Sequence, residues 1–331
     1  MKPGDRDWLE DRIRGCLAFA ALGDAAGEPV EGLSRAEVVR FDPLAHLWGG
    51  GSGGRERGGQ VTDDTGQLGA LAQALVDAGG ELTAEAWHAV LVGWYRSSPT
   101  AERAGPTTRA MLEGAPREPD ERIGVTNGSA MRAAPCGLVH PGRPERAVEL
   151  AWISSRPTHD TQVAAAAAGA IAAGVATALR PGCGIHEVTE ACVLGAALGN
   201  GLGVREGRTV ALPRVSDRIE LALDEARAAR DPNDALERIE AAVGTSMLAF
   251  ESVPAAVACL AATGGDPIET VRFAVRLGGD TDTIAAMAGA LAGALHGYVA
   301  AEPDDRALLD LVTPAELAEL APELAAIAAG R

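Results

Sequence analysis

An all-α fold, one compact multi-helical domain over residues 1–331, is what this sequence predicts, and three observations lead there. Apolar residues recur at helical spacing: Leu68, Leu71 and Leu75 at i, i+3 and i+7, and Ile284, Met287, Leu291 and Leu295 at i, i+3, i+7 and i+11. Alternating strand patterns are nearly absent. Aromatics make up only 3% of residues against 47% hydrophobic, so the core is Ala, Leu and Val, small enough to let helices approach closely.

The elements follow in order. RIRGCLAFAAL, residues 12–22, is a helical stretch, followed by Gly23-Asp-Ala-Ala-Gly-Glu-Pro-Val-Glu31. Gly27 and Pro29 predict a loop from Gly27 to Gly32. Residues 49–59, GGGSGGRERGG, have seven glycines in eleven positions. No Gly-Lys-Ser/Thr follows, which excludes a P-loop and leaves a mobile loop beside the site. Thr62 or Asp63 is the N-cap of a helix over 65–77. Asn127-Gly-Ser-Ala-Met-Arg-Ala-Ala-Pro135 is a polar turn entering a small-residue helix, and Thr158-His159-Asp160 caps an Ala-rich helix over 161–179. Turn chemistry at Arg180-Pro-Gly, Asp231-Pro-Asn and Gly264-Gly-Asp-Pro267 separates the later helices. Leu236, Ile239, Val243 and Met247 form one helical stripe. Thr209 to Val215 is the single strand candidate, interrupted by Pro213. Asp280 or Thr281 caps a helix over 284–298, and residues 301–331 form an acidic helical extension.

A net charge of −17 argues against a nucleic-acid partner, because phosphate binding needs a basic face. The five cysteines, Cys16, Cys136, Cys183, Cys192 and Cys259, are odd in number and scattered without a CxxC pair. Buried, inert thiols are expected rather than disulfides or a zinc site. The start, MKPGDRDWLEDRIRG, has no apolar core of a secretory signal. Val163 to Leu179 is shorter than the roughly 20 residues that span a bilayer. A cytoplasmic protein with no membrane contact is expected.

Two acidic clusters stand out: Thr62-Asp63-Asp64-Thr65 and Asp280-Thr281-Asp282-Thr283, each at a helix start. A carboxylate there can accept backbone N–H bonds and complement the helix dipole. Capping needs one carboxylate, and each cluster has two, which repel unless a cation lies between them. Oxygen donors without His or Cys select hard ions: Mg²⁺, Mn²⁺ or Ca²⁺. Two such clusters brought together would make a two-metal site.

The order GDAAGEPVE, TDDT, NGSAMR, THD and GGDTDT resembles the ADP-ribosylglycohydrolase family, which includes the dinitrogenase-reductase-activating glycohydrolases. The resemblance runs from about Arg14 to Gly297. It implies a compact all-α fold with two divalent cations, usually Mg²⁺ and in some members Mn²⁺. By motif match, Thr62, Asp63, Asp64, Asp280, Asp282 and Thr283 are metal ligands. Glu31 matches the glutamate of a flap over the site, with Glu28 nearby but off the motif. Gly124, Asn127, Gly128, Ser129 and His159 fall in stretches that contact ADP-ribose in similar proteins, although Val125 and Thr126 depart from the residues common there.

The implied reaction is hydrolysis of a ribose C1″–N or C1″–O bond in ADP-ribosylated protein side chains or small ADP-ribose conjugates. Glu31, Asp63 and Asp282 are the candidates for proton transfer at that carbon. Two rivals stand beside this reading. Asp280-Thr-Asp282-Thr283 also fits the DxDxT signature of haloacid-dehalogenase-like phosphatases, whose first Asp ends an apolar strand. The other rival is an ADP-ribose-binding, non-catalytic member of crystallin-like type. Oligomeric state has no signal in the sequence.

Overall fold

The computed structural model describes residues 3–48, 60–114 and 124–330. The glycine-rich stretch 49–59 lies outside the described residues. Among those described, helices follow one another without a strand, and the only β pairing is two isolated bridges, Thr126 with Leu248 and Thr161 with Arg208.

Two helix pairs make the centre. Pro3–Gly27 runs antiparallel to Thr281–His296, with Gly15 against Gly293, Phe19 against Gly289, Gly23 against Ala285, and Gly27 against Thr281 and Asp282. The contact positions recur every four residues, so they line one face of each helix, and at Phe19 it is the backbone that meets Gly289. A Cβ placed on Gly23 would fall 2.1 Å from the Ala285 carbonyl oxygen. The second pair, Gln162–Ala178 and Ile185–Glu206, repeats the device, with Gly169 against Gly195 and Gly199 against Ala165. Every residue of Gln162–Ala178 is buried, which explains its lack of a polar face. Among the described residues no helix is long and apolar enough to cross a membrane.

Around these pack Val215–Ala228, Ala249–Ala262 and Pro267–Arg276, in a hydrophobic cluster that runs from Leu9 to Ala328. The C-terminal helices Pro303–Val312 and Ala321–Ala329 lie against Pro3–Gly27 and add Leu308, Leu309 and Leu324 to that cluster. All five cysteines are free and four are buried, Cys183 being partly exposed.

Four local expectations change. Residues 209–215 form no strand; the Gln162 side-chain amide pairs with the Val210 backbone, donating to its carbonyl at 2.6 Å and accepting from its N–H at 3.0 Å. The N-cap of Gln162–Ala178 is Thr161, whose hydroxyl accepts from the Ala164 N–H, rather than residues 158–160. The stripe through Leu236 stops at Val243, because Gly244 takes φ +77° and ends the helix, leaving Met247 outside it. The helix begun at Thr281 likewise ends at His296, before a left-handed Gly297.

Candidate metal centre and catalytic cleft

The starts of Asp63–Asp77 and Thr281–His296 meet beside the end of Pro3–Gly27. Thr62 caps its helix by accepting the Asp64 N–H at 3.2 Å. The Thr283 hydroxyl donates to Asp64 at 3.0 Å, and the Thr281 hydroxyl to the Gly27 carbonyl at 2.8 Å. Beneath them lies Asp24, fully buried near the end of the first helix. Its carboxylate accepts the Thr62 N–H at 2.9 Å, the Thr65 N–H at 3.0 Å and the Thr65 hydroxyl at 2.5 Å. It thereby satisfies free donors of a helix begun about forty residues later. Asp24 lies inside the GDAAGEPVE motif, of which the motif match gives a role to Glu31 alone; a lone carboxylate in the apolar run AFAALGDAAG is its further signal.

Backbone bonds between loops fix the other side. Gly32 N–H donates to the Gly279 carbonyl and Gly279 N–H to the Leu33 carbonyl, both at 2.8 Å, so the Glu31 segment is paired to the Asp280 loop. Asp280 N–H donates to Thr245 at 2.8 Å, and Asn127 N–H to Met247 at 3.0 Å. Gly279 has φ +78°, and a Cβ there would fall 2.2 Å from the Thr245 carbonyl oxygen. Both conditions require glycine.

Carboxylate oxygens of Asp24, Asp64 and Asp282 lie within 4.8 Å of one another, as do those of Glu31, Asp280 and Asp282. Asp282 belongs to both groups. Burial pushes Asp64 well above the usual carboxylate range, and Asp282, Asp24, Asp63 and Asp280 all push in the same direction. Asp282 is raised well above it by burial and by Asp280 and Glu31. Burial and Asp24 push Asp63 up to about 7. Burial pushes Asp280 up to about 6, against the bond from Asn127. Such crowding of oxygen donors fits a hard divalent cation, whose charge removes the repulsion.

Above the acidic floor opens a cleft walled by Glu31, Asp63, Arg103, Thr126, Asn127 and Met247 among others. Thr62, Asp280, Asp282, Thr283 and Gly128 also reach it, while Asp64 sits behind. Asn127 donates to Asp280 at 2.5 Å and to the Ser252 hydroxyl at 3.0 Å. Gly124, Ser129 and His159 are not on the cleft surface. Gly124 accepts from the Thr161 hydroxyl, and Ser129 faces the Ala164 carbonyl. His159 is wholly buried behind Gly128 and Thr126, with its Nε2 2.9 Å from the Thr126 hydroxyl. Burial holds its pKa well below the ordinary value, so the ring is neutral. At the rim, Arg103 pairs with Glu28, and its Nη1 lies 3.9 Å from Glu31. Arg103 and Met247 join the cleft without any motif to mark them.

The phosphatase rival fails on position: Asp280 begins a helix directly after the helix Pro267–Arg276, with no strand before it.

A model of the ADP-ribosylglycohydrolase family matches residues 5–331, wider at both ends than the motifs alone reach. The chain is 31% identical to the uncharacterized protein YegU of Escherichia coli (strain K12), over 95% of this chain and 96% of that one. It is 28% identical to the human ADP-ribosylhydrolase ARH3, over 86% and 85% of the two chains. The solved structure of an ADP-ribosylglycohydrolase-related protein complex aligns with TM-score 0.67 and 28% identity, over 97% of this chain and 99% of that one. Sharing sequence and helical fold with these proteins across both acidic clusters, the chain belongs to the ADP-ribosylglycohydrolase family and is a hydrolase of that type.

Proposed function

We propose that the chain is a divalent-metal-dependent hydrolase that cleaves the ribose C1″ N- or O-glycosidic bond of ADP-ribosylated side chains or small ADP-ribose conjugates. The observation that carries this reading is Asp282, whose carboxylate belongs to both oxygen triads. Two cations, Mg²⁺ first and Mn²⁺ as the alternative, would be held by Thr62, Asp63, Asp64, Asp280, Asp282 and Thr283. Bound there, they supply Lewis acidity at the sugar and positive charge for the diphosphate.

The protein's own groups divide the remaining work. Asp282 is only 5% exposed and lies at the cleft floor, which suits a ligand better than a base. Asp63 has Oδ2 held by Gln67 at 2.9 Å and lines the cleft with its pKa raised by burial, so its carboxylate is the group that takes and returns a proton. Glu31 stands at the rim with its side chain 44% exposed, where it exchanges protons with bulk water. Asn127 orients Asp280, while Gly128 and Thr126 line the cleft that a ligand would fill. Ser129 and His159 support that wall from behind, and Gly124 is tied to Thr161 off the cleft surface. The N-termini of two helices add their dipoles beneath an anionic ligand. We read residues 1–331 as one domain, in keeping with the continuous core. The free cysteines suit a reducing compartment such as the cytoplasm.

The test is turnover of ADP-ribosyl-arginine, ADP-ribosyl-serine and O-acetyl-ADP-ribose side by side, with Mg²⁺, with Mn²⁺ and with chelator. Release of ADP-ribose from at least one, lost with chelator, is expected. Binding of ADP-ribose with no turnover of any conjugate would favour the non-catalytic alternative.

A further inference from the structure

Arg132 is completely buried, and the acceptors bound to its guanidinium are all neutral: Gln67 Oε1 at 2.6 Å, the Ser154 carbonyl at 3.1 Å and the Thr158 hydroxyl at 2.8 Å. Its Nε has no partner among the described residues. A buried guanidinium without a carboxylate is costly, and an apolar side chain of similar volume would fill the space at less expense. Stability is therefore a poor reason for its presence.

Its chemistry suggests a better one. A guanidinium has donors and no acceptor, so the amide of Gln67, itself fully buried, can only turn its oxygen toward Arg132. That leaves the amide nitrogen facing the other way, where it donates to Asp63 Oδ2 at 2.9 Å. An unconstrained amide could flip and set its oxygen against the carboxylate. We infer that Arg132 is a positioning residue that acts through Gln67, locking the direction of the hydrogen bond that aims the Asp63 carboxylate into the cleft. Arg132 lines neither the cleft nor the acidic floor; its hydrogen-bonded route to Asp63 is the Gln67 amide, and its charge also acts on Asp63 through space. This rests on the metal-dependent reading above, because the aimed carboxylate matters as a ligand and proton acceptor.

The experiment compares the wild type with Arg132→Met, Gln67→Met and the double variant. Each is assayed for Mg²⁺ and Mn²⁺ affinity by calorimetry, for kcat, and for thermal unfolding with chelator. Loss of a group that orients a metal ligand typically costs roughly 10–100-fold in affinity or activity. Both single variants should show a loss of that size, Arg132→Met included although Gln67 and Asp63 remain. The double variant should be no worse than the singles, since the two residues act as one unit. Wild-type metal affinity and kcat in Arg132→Met, or losses that multiply in the double variant, would overturn the inference. Gln67→Glu covers the case in which the methionine variants do not fold. It keeps an acceptor for Arg132 and sets a charged oxygen, in place of the amide donor, against Asp63, so kcat should fall with the fold intact, and a wild-type kcat would be decisive against us. A wild-type protein that takes up neither ion would instead sink the metal-dependent reading itself.

Discussion

Raising the pH should weaken the metal-free protein over a range in which most proteins are indifferent. Asp63 rises from 3.8 to about 7, and Asp64 and Asp282 lie well above the ordinary carboxylate range. The folded state therefore holds protons at neutral pH that the unfolded chain has released. Stability then falls as pH rises, by about 1.4 kcal/mol per pH unit for each proton so retained. One or two retained protons give a loss of roughly 1.4–2.7 kcal/mol between pH 7 and 8. Few other groups disturb that window. Carboxyls with lowered values, such as Asp42 and Asp234, are ionised in both states. His159, held neutral, matters only as the unfolded histidine begins to charge near pH 6.5, and the buried thiols only as pH approaches 9.0. The assay is urea or thermal unfolding of chelator-treated protein at pH 7.0, 7.5 and 8.0. At an unfolding entropy of about 2.1 cal/mol/K per residue, each kcal/mol moves Tm by roughly 1.4 °C in a chain of 331 residues, so the slope is measurable. Asp64→Asn should flatten it. Added Mg²⁺ should reverse it, because ion binding displaces those protons and strengthens as pH rises. Metal-free stability that is level or rising from pH 7 to 8 would refute the picture of carboxylates forced together without a cation.

Three further outcomes are expected. Asp63→Ala should abolish ADP-ribose release while circular dichroism stays native; a normally active variant would remove the residue from the mechanism. Glu31→Gln should keep Mg²⁺ affinity in a calorimetric titration and lower kcat by ~10²–10⁴-fold, as expected for a lost acid–base group, whereas affinity falling together with rate would make it a ligand. Gly289→Ala would put a Cβ 2.2 Å from the Phe19 carbonyl oxygen. Overpacking of this kind costs about 1–3 kcal/mol or more, and the displaced helix should also lower Mg²⁺ affinity; an unchanged Tm would show that the seam has slack.

The legible parts of the site were those written locally. TDDT and GDTDT announce helix starts and surplus charge within four residues, and both clusters are where the N-cap pattern puts them. Asp24 was harder, because nothing within its own helix distinguishes a site carboxylate from an unusual core residue. Its partners, Thr62 and Thr65, are supplied by tertiary packing. Met247 was misjudged for the opposite reason: the apolar spacing continues past Val243, while Gly244 turns the backbone and sends the side chain to the cleft. His159 shows a third limit. A motif places it near the substrate wall, but only the packing of Thr126 and Gly128 in front of it reveals which side it occupies.

The seam of glycines between Pro3–Gly27 and Thr281–His296 has a consequence for how such a protein can change. Asp24 and Asp282 ride on those two helices, and main chain touches main chain at Gly15, Gly23, Gly27, Gly289 and Gly293. The spacing of the acids is thus set by bare backbone, with no intervening side chains to trim or enlarge. Evolution has no fine adjustment there: a substitution in the seam is either tolerated nowhere or felt at the floor of the cleft. The walls are different. Arg103, Thr126 and Met247 stand on short connecting segments, whose lengths and residues can drift while the floor keeps its dimensions. Reactivity and recognition thus rest on different parts of the fold, and new substrates are to be sought by varying the walls.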